Sequence, residues 1–536
     1  MSLTVSPDLI ASTKSPLLES YRQDAGRADR DQVIDTAKLN DEGMSDLINA
    51  AQSVQDNKTA RALESILLAR AGKFDKPVPN FKAFQAVLVE FIKSDLIDGW
   101  IYVTGPDGKL YPQLVTEVTF DSGQDYRRDR TPMVQIATAS YGFSRDGNYK
   151  PTFGVFTRRH AFHPQIVAKR RVADILAEQG IYKETPALKA AHQESLKRHY
   201  AGIQSAFAQQ FRIKGKAFHS ESRDGNDGDD LTGRRVIHDL DTGDYEAVVR
   251  HTDSALFDAA DGVGQVPEHP VVRVFDLSSH SFYWVHADNM EPYVYDESLR
   301  HKLVLPDTHR DLLDVLTTDL DAFVNDIIEA KSATNVILCK GVAGVGKTLT
   351  AEVYAELIKR PLYAMHAGTL GTTAEEIEKN LKMVFDRATR WDCVLLLDEA
   401  DVFVVKRGDS IEQNAIVAVF LRVLEYTKAL MFMTGNRASD IDEAIISRCA
   451  AIIEYTVPGA QDAAAIWKVM GTQFKAELSN DLIEQLVDLF PGIAPRDIKM
   501  LLRLALRVSK SHDEPLDVAT FRRCAMFRAI TIKADA

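Results

Sequence analysis

The chain has 536 residues with a formal net charge of −13, and its hydrophobic and charged fractions of 45% and 26% are ordinary for globular protein, so we expect roughly two to four domains. The acidic balance disfavours nonspecific binding of nucleic acid through overall charge. No apolar run is long enough to span a bilayer and no signal-peptide pattern is present, so we expect a soluble cytoplasmic protein with no membrane partner. The absence of a C-x-x-C pair indicates that the cysteines are reduced.

The N-terminal part of the chain gives a mixed pattern. Residues 1–28 are polar and aperiodic, and we interpret them as a flexible tail. Residues 29–300 form a predicted α+β region, of one domain or two, which we expect to bind a substrate or partner. Helical periodicity extends to Lys93 and returns from about 164 to 211. The candidate strands between these helical stretches are 100–103, 133–136 and 153–156.

From about residue 220 the predicted elements change from a loop and hairpins to alternating strands and helices. A Gly- and Asp-rich stretch at about 220–232 predicts a mobile loop. Residues 235–238 and 245–249 flank a turn pattern and predict a hairpin, and residues 271–285 predict a second. A polar connector then leads to a helix predicted over about 310–330. Beyond it strand and helix alternate before a helical C-terminal part, which predicts a parallel sheet covered by helices.

The most informative stretch matches G-x-x-x-x-G-K-[ST], the phosphate-binding loop, between a strand pattern and a helical one. In such a loop the backbone N–H groups and the positive end of the following helix hold phosphate oxygens. Lys347 is expected to reach the β- and γ-phosphates, and the Thr348 hydroxyl to bind Mg²⁺. We therefore predict ATP and Mg²⁺ as cofactors. The predicted nucleotide-binding residues are Gly341, Val342, Ala343, Gly344, Val345, Gly346, Lys347, Thr348 and Leu349.

Two later strand patterns end in polar residues that suit ATP hydrolysis. The apolar run 394–397 leads directly into Asp398 and Glu399, as in a buried parallel strand that presents carboxylates at its C-terminal edge. Asp398 is the second predicted magnesium ligand. Glu399 is predicted to polarise the attacking water. Asn436, just beyond the next strand pattern, is expected to hold that water or the γ-phosphate.

Arg448 lies immediately before another strand pattern, at 451–453. An arginine at this position can reach the γ-phosphate bound by a neighbouring subunit and stabilise charge in the transition state, a contribution of about 10³–10⁵ in rate. A surface salt bridge is the alternative interpretation of Arg448. A role at the γ-phosphate of a neighbouring subunit requires a homo-oligomer.

With these elements in order, the chain over about 305–536 resembles the AAA+ ATPases, and most closely the large fungal-type AAA proteins of unassigned substrate. The resemblance implies a P-loop α/β core at 301–456, a C-terminal helical lid at 457–536, a homo-oligomeric ring, usually of six subunits, and remodelling of macromolecules. The residues that carry it are 346–352, 360–363, 396–403 and 419–426.

Two features depart from the AAA pattern. Many AAA unfoldases carry an aromatic residue in a loop of the central pore, but the equivalent stretch 368–373 has none, which weakens the case for threading a polypeptide. Pro495 and Arg496 open a predicted lid helix and resemble the sensor-2 arginine of clamp-loader-like relatives. Arg496 is therefore expected to touch the γ-phosphate, and a surface arginine at a helix start is the alternative.

The sequence favours an oligomeric Mg²⁺-dependent ATPase that remodels a protein or protein assembly, with an unknown protein target bound by the N-terminal region. A nucleic-acid-associated ring motor or loader is the first alternative, through Arg496 and a basic cluster at 158–171. A nucleotide-gated scaffold with little turnover is the second. Intact Lys347, Asp398 and Glu399 argue against the scaffold.

Overall fold

Antiparallel sheets occupy the N-terminal part of the chain, and a parallel sheet follows them. The computed structural model describes residues 2–26, 30–123, 131–145, 151–167, 169–203, 208–219, 228–239, 250–251, 256, 263–318, 335–425, 427–436, 440–528 and 530–533. The strands are β1 (Ser2–Val5), β2 (Gln32–Asp35), β3 (Trp100–Thr104), β4 (Leu110–Asp121), β5 (Met133–Arg145), β6 (Pro151–Phe162), β7 (Ile181–Lys183), β8 (Gln210–Ile213), β9 (Lys216–His219), β10 (Gly228–Asp230), β11 (Arg235–His238), β12 (Arg250–His251), β13 (Gln265–Val266), β14 (Val271–Asp276), β15 (Ser281–His286), β16 (Met290–Pro292), β17 (Val336–Gly341), β18 (Leu362–His366), β19 (Val394–Asp398), β20 (Met431–Gly435) and β21 (Ala451–Tyr455). The helices are α1 (Pro7–Ala11), α2 (Glu19–Ala25), α3 (Asp41–Ser53), α4 (Asn57–Arg70), α5 (Phe81–Lys93), α6 (Pro164–Val167), α7 (Val172–Glu178), α8 (Pro186–Arg198), α9 (Asp307–Thr318), α10 (Lys347–Leu357), α11 (Ala374–Arg390), α12 (Asp401–Val404), α13 (Ile411–Leu424), α14 (Glu443–Ile446), α15 (Ala460–Gln473), α16 (Asn480–Leu489), α17 (Pro495–His512) and α18 (Val518–Met526).

Residues 2–25 are folded, so the prediction of a flexible tail is wrong for them. Strand β1 pairs antiparallel with β2, and Leu3, Val5 and Leu9 are buried in one core with α3, α4 and α5. The elements here are only four to seven residues long, too short to produce a recognisable period in the sequence. Burial of their few apolar side chains, rather than local propensity, holds them in place.

The first sheet of the N-terminal region is antiparallel, in the order β6-β5-β4-β3-β7. The predicted strands at 100–103, 133–136 and 153–156 lie within β3, β5 and β6. Strand β4 was missed, and the helical stretch predicted from 164 to 211 is interrupted by β7. The break follows Gly180, whose φ of 67° ends the preceding helix.

The second sheet has seven antiparallel strands in the order β10-β9-β15-β14-β11-β8-β16. The hairpin predicted over 271–285 is confirmed by the pairing of β14 with β15. The hairpin predicted between 235–238 and 245–249 is wrong, because β11 pairs with β8 on one edge and with β14 on the other. Residues 240–249 lie outside the described residues. Of the predicted loop at 220–232, residues 220–227 also lie outside them, and 228–230 form β10.

The third sheet contains the five parallel strands β18-β19-β20-β17-β21, in that order, with helices packed against it. The predicted α/β architecture is thus confirmed. The apolar run 394–397 is fully buried in β19, since a parallel sheet is covered on both faces. The helix predicted over 310–330 begins at Asp307 as α9, and residues 319–334 lie outside the described residues.

Helices α15 to α18 form the C-terminal bundle around their own core, in which Trp467 packs edge-on against Phe521 at 5.5 Å. No helix in the described ranges has both the length and the apolar character needed to cross a bilayer. All four cysteines fall within described residues and are unpaired, and burial raises the pKa of each thiol.

The second sheet and the parallel-sheet part share a hydrophobic core. The ring of Phe275, from β14, lies 4.9 Å from that of Trp391 and 5.6 Å from that of Tyr363. At the edge of this contact Arg390 forms an ion pair with the buried carboxylate of Asp239. The second sheet is therefore packed against the parallel-sheet part through aromatic contacts that exclude water.

Replacement of Phe275 by Ala is expected to lower the free energy of unfolding by about 3–5 kcal/mol, because a fully buried ring is lost and a cavity remains. Urea unfolding followed by tryptophan fluorescence measures this change. The matched control is Val294→Ala, since Val294 is 84% exposed and its loss should cost less than about 0.5 kcal/mol. Equal effects from the two variants would contradict a shared core.

Candidate nucleotide-binding site

The candidate site begins where β17 turns into α10. Gly341, the last residue of β17, has a φ of 144°, and a methyl group added there would lie 2.1 Å from the carbonyl oxygen of Tyr455. Only glycine lets β17 and β21 run this close together at the start of the loop. Gly346 precedes α10 with a φ of 104°, in the left-handed region. The first N–H groups of α10 therefore face the loop without helical partners, as an anion site requires.

The Lys347 ammonium is the most constrained charge in the site. It donates hydrogen bonds to the carbonyl oxygens of Gly341 and Val342, each at 2.8 Å, and to Asn436 Oδ1 at 2.9 Å. Lys347 is only 7% exposed, and burial lowers its pKa, while the nearby carboxylate of Asp401 acts in the opposite direction. The structure thus brings Lys347 and Asn436 together at the carboxyl ends of β17 and β20.

The predicted metal ligands also meet. Thr348 Oγ1 donates to Asp398 Oδ1 at 3.0 Å, and the same carboxylate oxygen accepts a hydrogen bond from the hydroxyl of Thr434. A hydroxyl and a carboxylate at this separation are hard oxygen ligands of the kind that Mg²⁺ prefers. These residues therefore fit a magnesium ion bound at the start of α10.

Glu399 lines the cleft and has an uncommon backbone conformation, with a φ of 55°. Its N–H donates to Thr434 Oγ1 at 3.1 Å, so one buried hydroxyl contacts both Asp398 and the backbone of Glu399. Sequence reasoning missed Thr434, although a polar residue that ends an apolar strand was the available signal. Asp401 was also missed, and it accepts the N–H of Asn436 at 3.0 Å.

These groups line one cleft of about 350 Å³. The loop and the ends of β19 and β20 form one wall, and Arg496 and Lys499 of α17, with Met470 of α15, form the other. The N–H of Arg496 donates to the carbonyl oxygen of Gly344 at 3.1 Å, so the helical bundle contacts the loop directly. Of the predicted nucleotide-binding residues, Gly341, Val342 and Val345 are not among the described residues that line this cleft.

A second, larger cleft of about 740 Å³ was not predicted. It lies between the connector before α9 and helix α15, with Leu305, Arg310 and Gln461 among its walls. Helix α15 contributes Val469 to this cleft and the next residue, Met470, to the smaller one. The two clefts therefore share one helix as a wall.

Arg448 is placed apart from the other predicted residues. Its guanidinium donates to the carbonyl oxygen of Ala444 at 3.0 Å and forms an ion pair with Glu425. Arg448 is not among the described residues that line the cleft of its own chain. The ion pair with Glu425 is the salt bridge that was the alternative interpretation of Arg448.

Comparison with known proteins gives the family of this segment. Residues 337–457 match the profile of the ATPase family associated with various cellular activities (AAA). These residues form an AAA domain. The predicted resemblance to AAA ATPases is thereby confirmed for this part of the chain, and most of the residues that line the smaller cleft belong to it.

The similar proteins match over the same part. An uncharacterized AAA family ATPase of Sinorhizobium fredii is 28% identical over 151 residues, which are 27% of this chain and 44% of that protein. The ATPase family AAA domain-containing protein 3A homolog of Drosophila melanogaster is 28% identical over 162 residues, 28% of this chain and 27% of that protein. The match thus spans less than half the length of each of these relatives.

Among solved structures, the E. coli MS115-1 HORMA:CdnC:Trip13 complex contains a chain that is 20% identical, with a TM-score of 0.37, covering 45% of this chain and 93% of that one. The FIGL-1 AAA domain in complex with ADP is also 20% identical, with a TM-score of 0.35, covering 43% and 84%. Similarities at this level carry no functional argument.

Gly341→Ala is expected to lower the free energy of unfolding of the AAA domain by more than about 2 kcal/mol, because the added methyl group collides with the backbone of Tyr455 at a φ that favours glycine. Urea unfolding measures the change. Gly368→Ala is the matched control, since a methyl group there meets no described atom within 4 Å. A Gly341→Ala protein as stable as the control would show that the loop tolerates a side chain.

Proposed function

We propose that this protein is a Mg²⁺-dependent AAA ATPase of the cytoplasm that assembles into a homo-oligomeric ring, usually six subunits in such proteins, and couples ATP hydrolysis to the remodelling of a protein or protein assembly. The observation that carries the proposal is the convergence of Lys347, Thr348, Asp398 and Glu399 on one cleft that Arg496 contacts from the lid.

Each group in the cleft has a role that suits its position. The N–H groups at the start of α10 and the Lys347 ammonium would hold the β- and γ-phosphates. Thr348 and Asp398 would hold Mg²⁺, which when bound neutralises phosphate charge. Glu399, whose backbone is fixed by Thr434, would accept a proton from the attacking water. Asn436, already hydrogen bonded to Lys347, would orient the γ-phosphate or that water.

We assign the nucleoside to the larger cleft between the connector and α15. Its walls combine apolar side chains such as Leu303 and Leu305 with polar ones such as Gln461, a mixture suited to a purine and its ribose. Since Val469 and Met470 are neighbours on α15, a nucleotide can extend from this cleft into the phosphate site along one helix.

We infer a trans-acting role for Arg448, which requires an oligomer. Its ion pair with Glu425 holds the guanidinium at the surface, and side-chain exposure of 28% leaves it partly accessible. In the ring we propose, Arg448 exchanges Glu425 for the γ-phosphate bound by the next subunit and stabilises the charge that develops during hydrolysis.

We propose that the N-terminal region binds the target. Its two antiparallel sheets lie outside the AAA domain, and the second packs on that domain through Phe275. Residues 368–373 offer no aromatic side chain, and Leu370 within them is only 1% exposed. A local remodelling of the bound target therefore suits this chain better than processive threading.

Two arginines of the basic cluster already have carboxylate partners, which weakens the case for a nucleic-acid motor. Arg170 is paired with Glu178, and Arg171 with Asp174 at 2.8 Å, so these cations are already engaged by carboxylates. DNA- or RNA-stimulated ATPase activity that falls steeply with salt would favour the motor instead. A nucleotide-gated scaffold would bind ATP and hydrolyse almost none.

The test uses two variants, each of which loses ATP turnover because a different group is removed. Glu399→Gln is expected to bind ATP but to lose about 10²–10⁴ in turnover, and Arg448→Ala about 10³ or more. Mixed in equal amounts and allowed to exchange, they should recover up to about a quarter of wild-type turnover, because that share of random interfaces combines an intact Glu399 with an intact Arg448. ATP turnover of each protein and of the mixture is the measurement.

The matched control is Arg523→Ala, which removes an exposed arginine paired with Glu514 in the lid and should leave turnover unchanged. Normal turnover by Arg448→Ala alone, or no recovery in the exchanged mixture, would contradict the trans-acting arginine. An inactive wild-type protein that still binds ATP would instead support the scaffold.

A further inference from the structure

A third cleft lies in the N-terminal region, where the first sheet, helix α8 and the end of β15 meet. Its volume is about 280 Å³. Tyr102 of β3 and Lys109 of the following turn line one side, His192 of α8 lines another, and His286 and Asp288 at the end of β15 complete it. All the residues that line this cleft precede the AAA domain, so it is separate from the phosphate site.

The carboxylate in this cleft, that of Asp288, is already engaged by the protein. Its Oδ2 accepts a hydrogen bond from Ser195 Oγ at 2.8 Å, and its Oδ1 lies 3.5 Å from the guanidinium of Arg198. The nearby cation balances the negative charge of Asp288, and the serine fixes its orientation. The carboxylate therefore has little capacity left for a cationic ligand.

His286 offers a hydrogen-bond donor. The N–H of Asp288 donates to His286 Nδ1 at 3.2 Å, so the proton of the neutral imidazole is on Nε2. Burial lowers the pKa of His286 to about 4, which keeps the ring neutral at neutral pH. Although His286 is only 4% exposed, its Nε2–H has no acceptor among the described residues. An occupant of the cleft can supply that acceptor.

The Lys109 ammonium is the charge in this cleft that no described carboxylate pairs within 4 Å. The nearby carboxylate of Asp107 instead accepts the backbone N–H of Lys109 at 3.1 Å and the hydroxyl of Tyr111 at 2.7 Å. Two buried polar atoms on the lining residues, Tyr102 Oη and His192 Nε2, also have no hydrogen-bond partner in the described part of the chain. Because buried polar groups in native proteins are almost always paired, such a set of unpartnered groups around one cleft indicates a ligand.

The rest of the lining is apolar. Leu110 from the first sheet and Leu188 and Ala191 from α8 lie along the cleft. Its volume is close to the lower end of the range for small-molecule sites, about 300–1,000 Å³. One side thus presents an ammonium and an imidazole N–H, and another presents aliphatic side chains. The combination suits a small molecule or chain end with an anionic head and a short apolar body.

We propose that this cleft binds a carboxylate carried by a short apolar group, with the carboxylate at Lys109 and His286 and the apolar group against Leu188. Two sources have this chemistry, a free small carboxylic acid and the C-terminal residue of a polypeptide. A polypeptide terminus would make the cleft the place where the N-terminal region captures its target, and that source alone rests on the proposed function. The binding itself requires no nucleotide, because the cleft lies outside the AAA domain.

The test is isothermal titration with two probes, isovalerate and an acetylated tripeptide that ends in leucine with a free carboxylate. The amides of both probes should bind at least about tenfold more weakly, because a charged acceptor is lost. Lys109→Met should raise the Kd of the acids about tenfold, whereas Lys109→Arg keeps the charge and should stay within about threefold. Ala191→Phe adds a ring to the cleft from an exposed position on α8 and should weaken both acids.

The matched control is Lys197→Met, which removes a cation of the same helix that is paired with Glu194 at 3.7 Å and does not line the cleft. It should leave the Kd unchanged. Binding of isovalerate alone identifies a small acid as the source, and binding of the peptide identifies a polypeptide terminus; both support the inference. No binding of either acid up to about 10 mM, equal binding of the amides, or an unchanged Kd in Lys109→Met would overturn it. These outcomes leave the ATPase proposal untouched, since ATP turnover is measured separately.

Discussion

The position of the Lys347 ammonium constrains much of the AAA domain. An ammonium with so little contact with water must be surrounded by oxygen acceptors, and here they are two loop carbonyls and the amide oxygen of Asn436. The carbonyls can converge only because Gly341 lets β17 run beside Tyr455. Asn436 can take part only because β20 neighbours β17. The phosphate site, the strand order and the chain reversal at the loop thus depend on one another.

A second set of contacts in the site joins the Asp398 carboxylate to two hydroxyls. Asp398 accepts from two hydroxyls, of Thr348 on α10 and Thr434 on β20, so three elements meet at a single oxygen. Thr434 also receives the N–H of Glu399 and supports a backbone conformation that would otherwise cost of order 1 kcal/mol or more. Asp398, the predicted metal ligand, and the adjacent Glu399 are therefore positioned by the same buried side chain.

The sequence was sufficient for the parallel sheet, because buried parallel strands are apolar runs that end in polar residues, as 394–399 shows. It was insufficient where pairing is not local. Strand β11 takes β8 and β14 as neighbours rather than the next segment, and residues 2–25 fold by packing on α3, α4 and α5. In the site, Thr434 and Asp401 were missed because their roles depend on contacts between elements that are not adjacent in the chain. A salt bridge was the alternative interpretation of Arg448, but its partner Glu425 could not be identified from the sequence because it belongs to a different element.

Helix α15 forms a wall of both clefts, with Val469 on one and Met470 on the other. A rigid rotation of the lid therefore changes the shape of both clefts in the same movement. An occupant of one cleft then changes the binding affinity of the other cleft even without contact between the two occupants. Once the first occupant has ordered the lid, binding of the second loses less conformational entropy. In the nucleotide arrangement proposed above, this helix makes the lid a thermodynamic link between the two ends of one bound molecule.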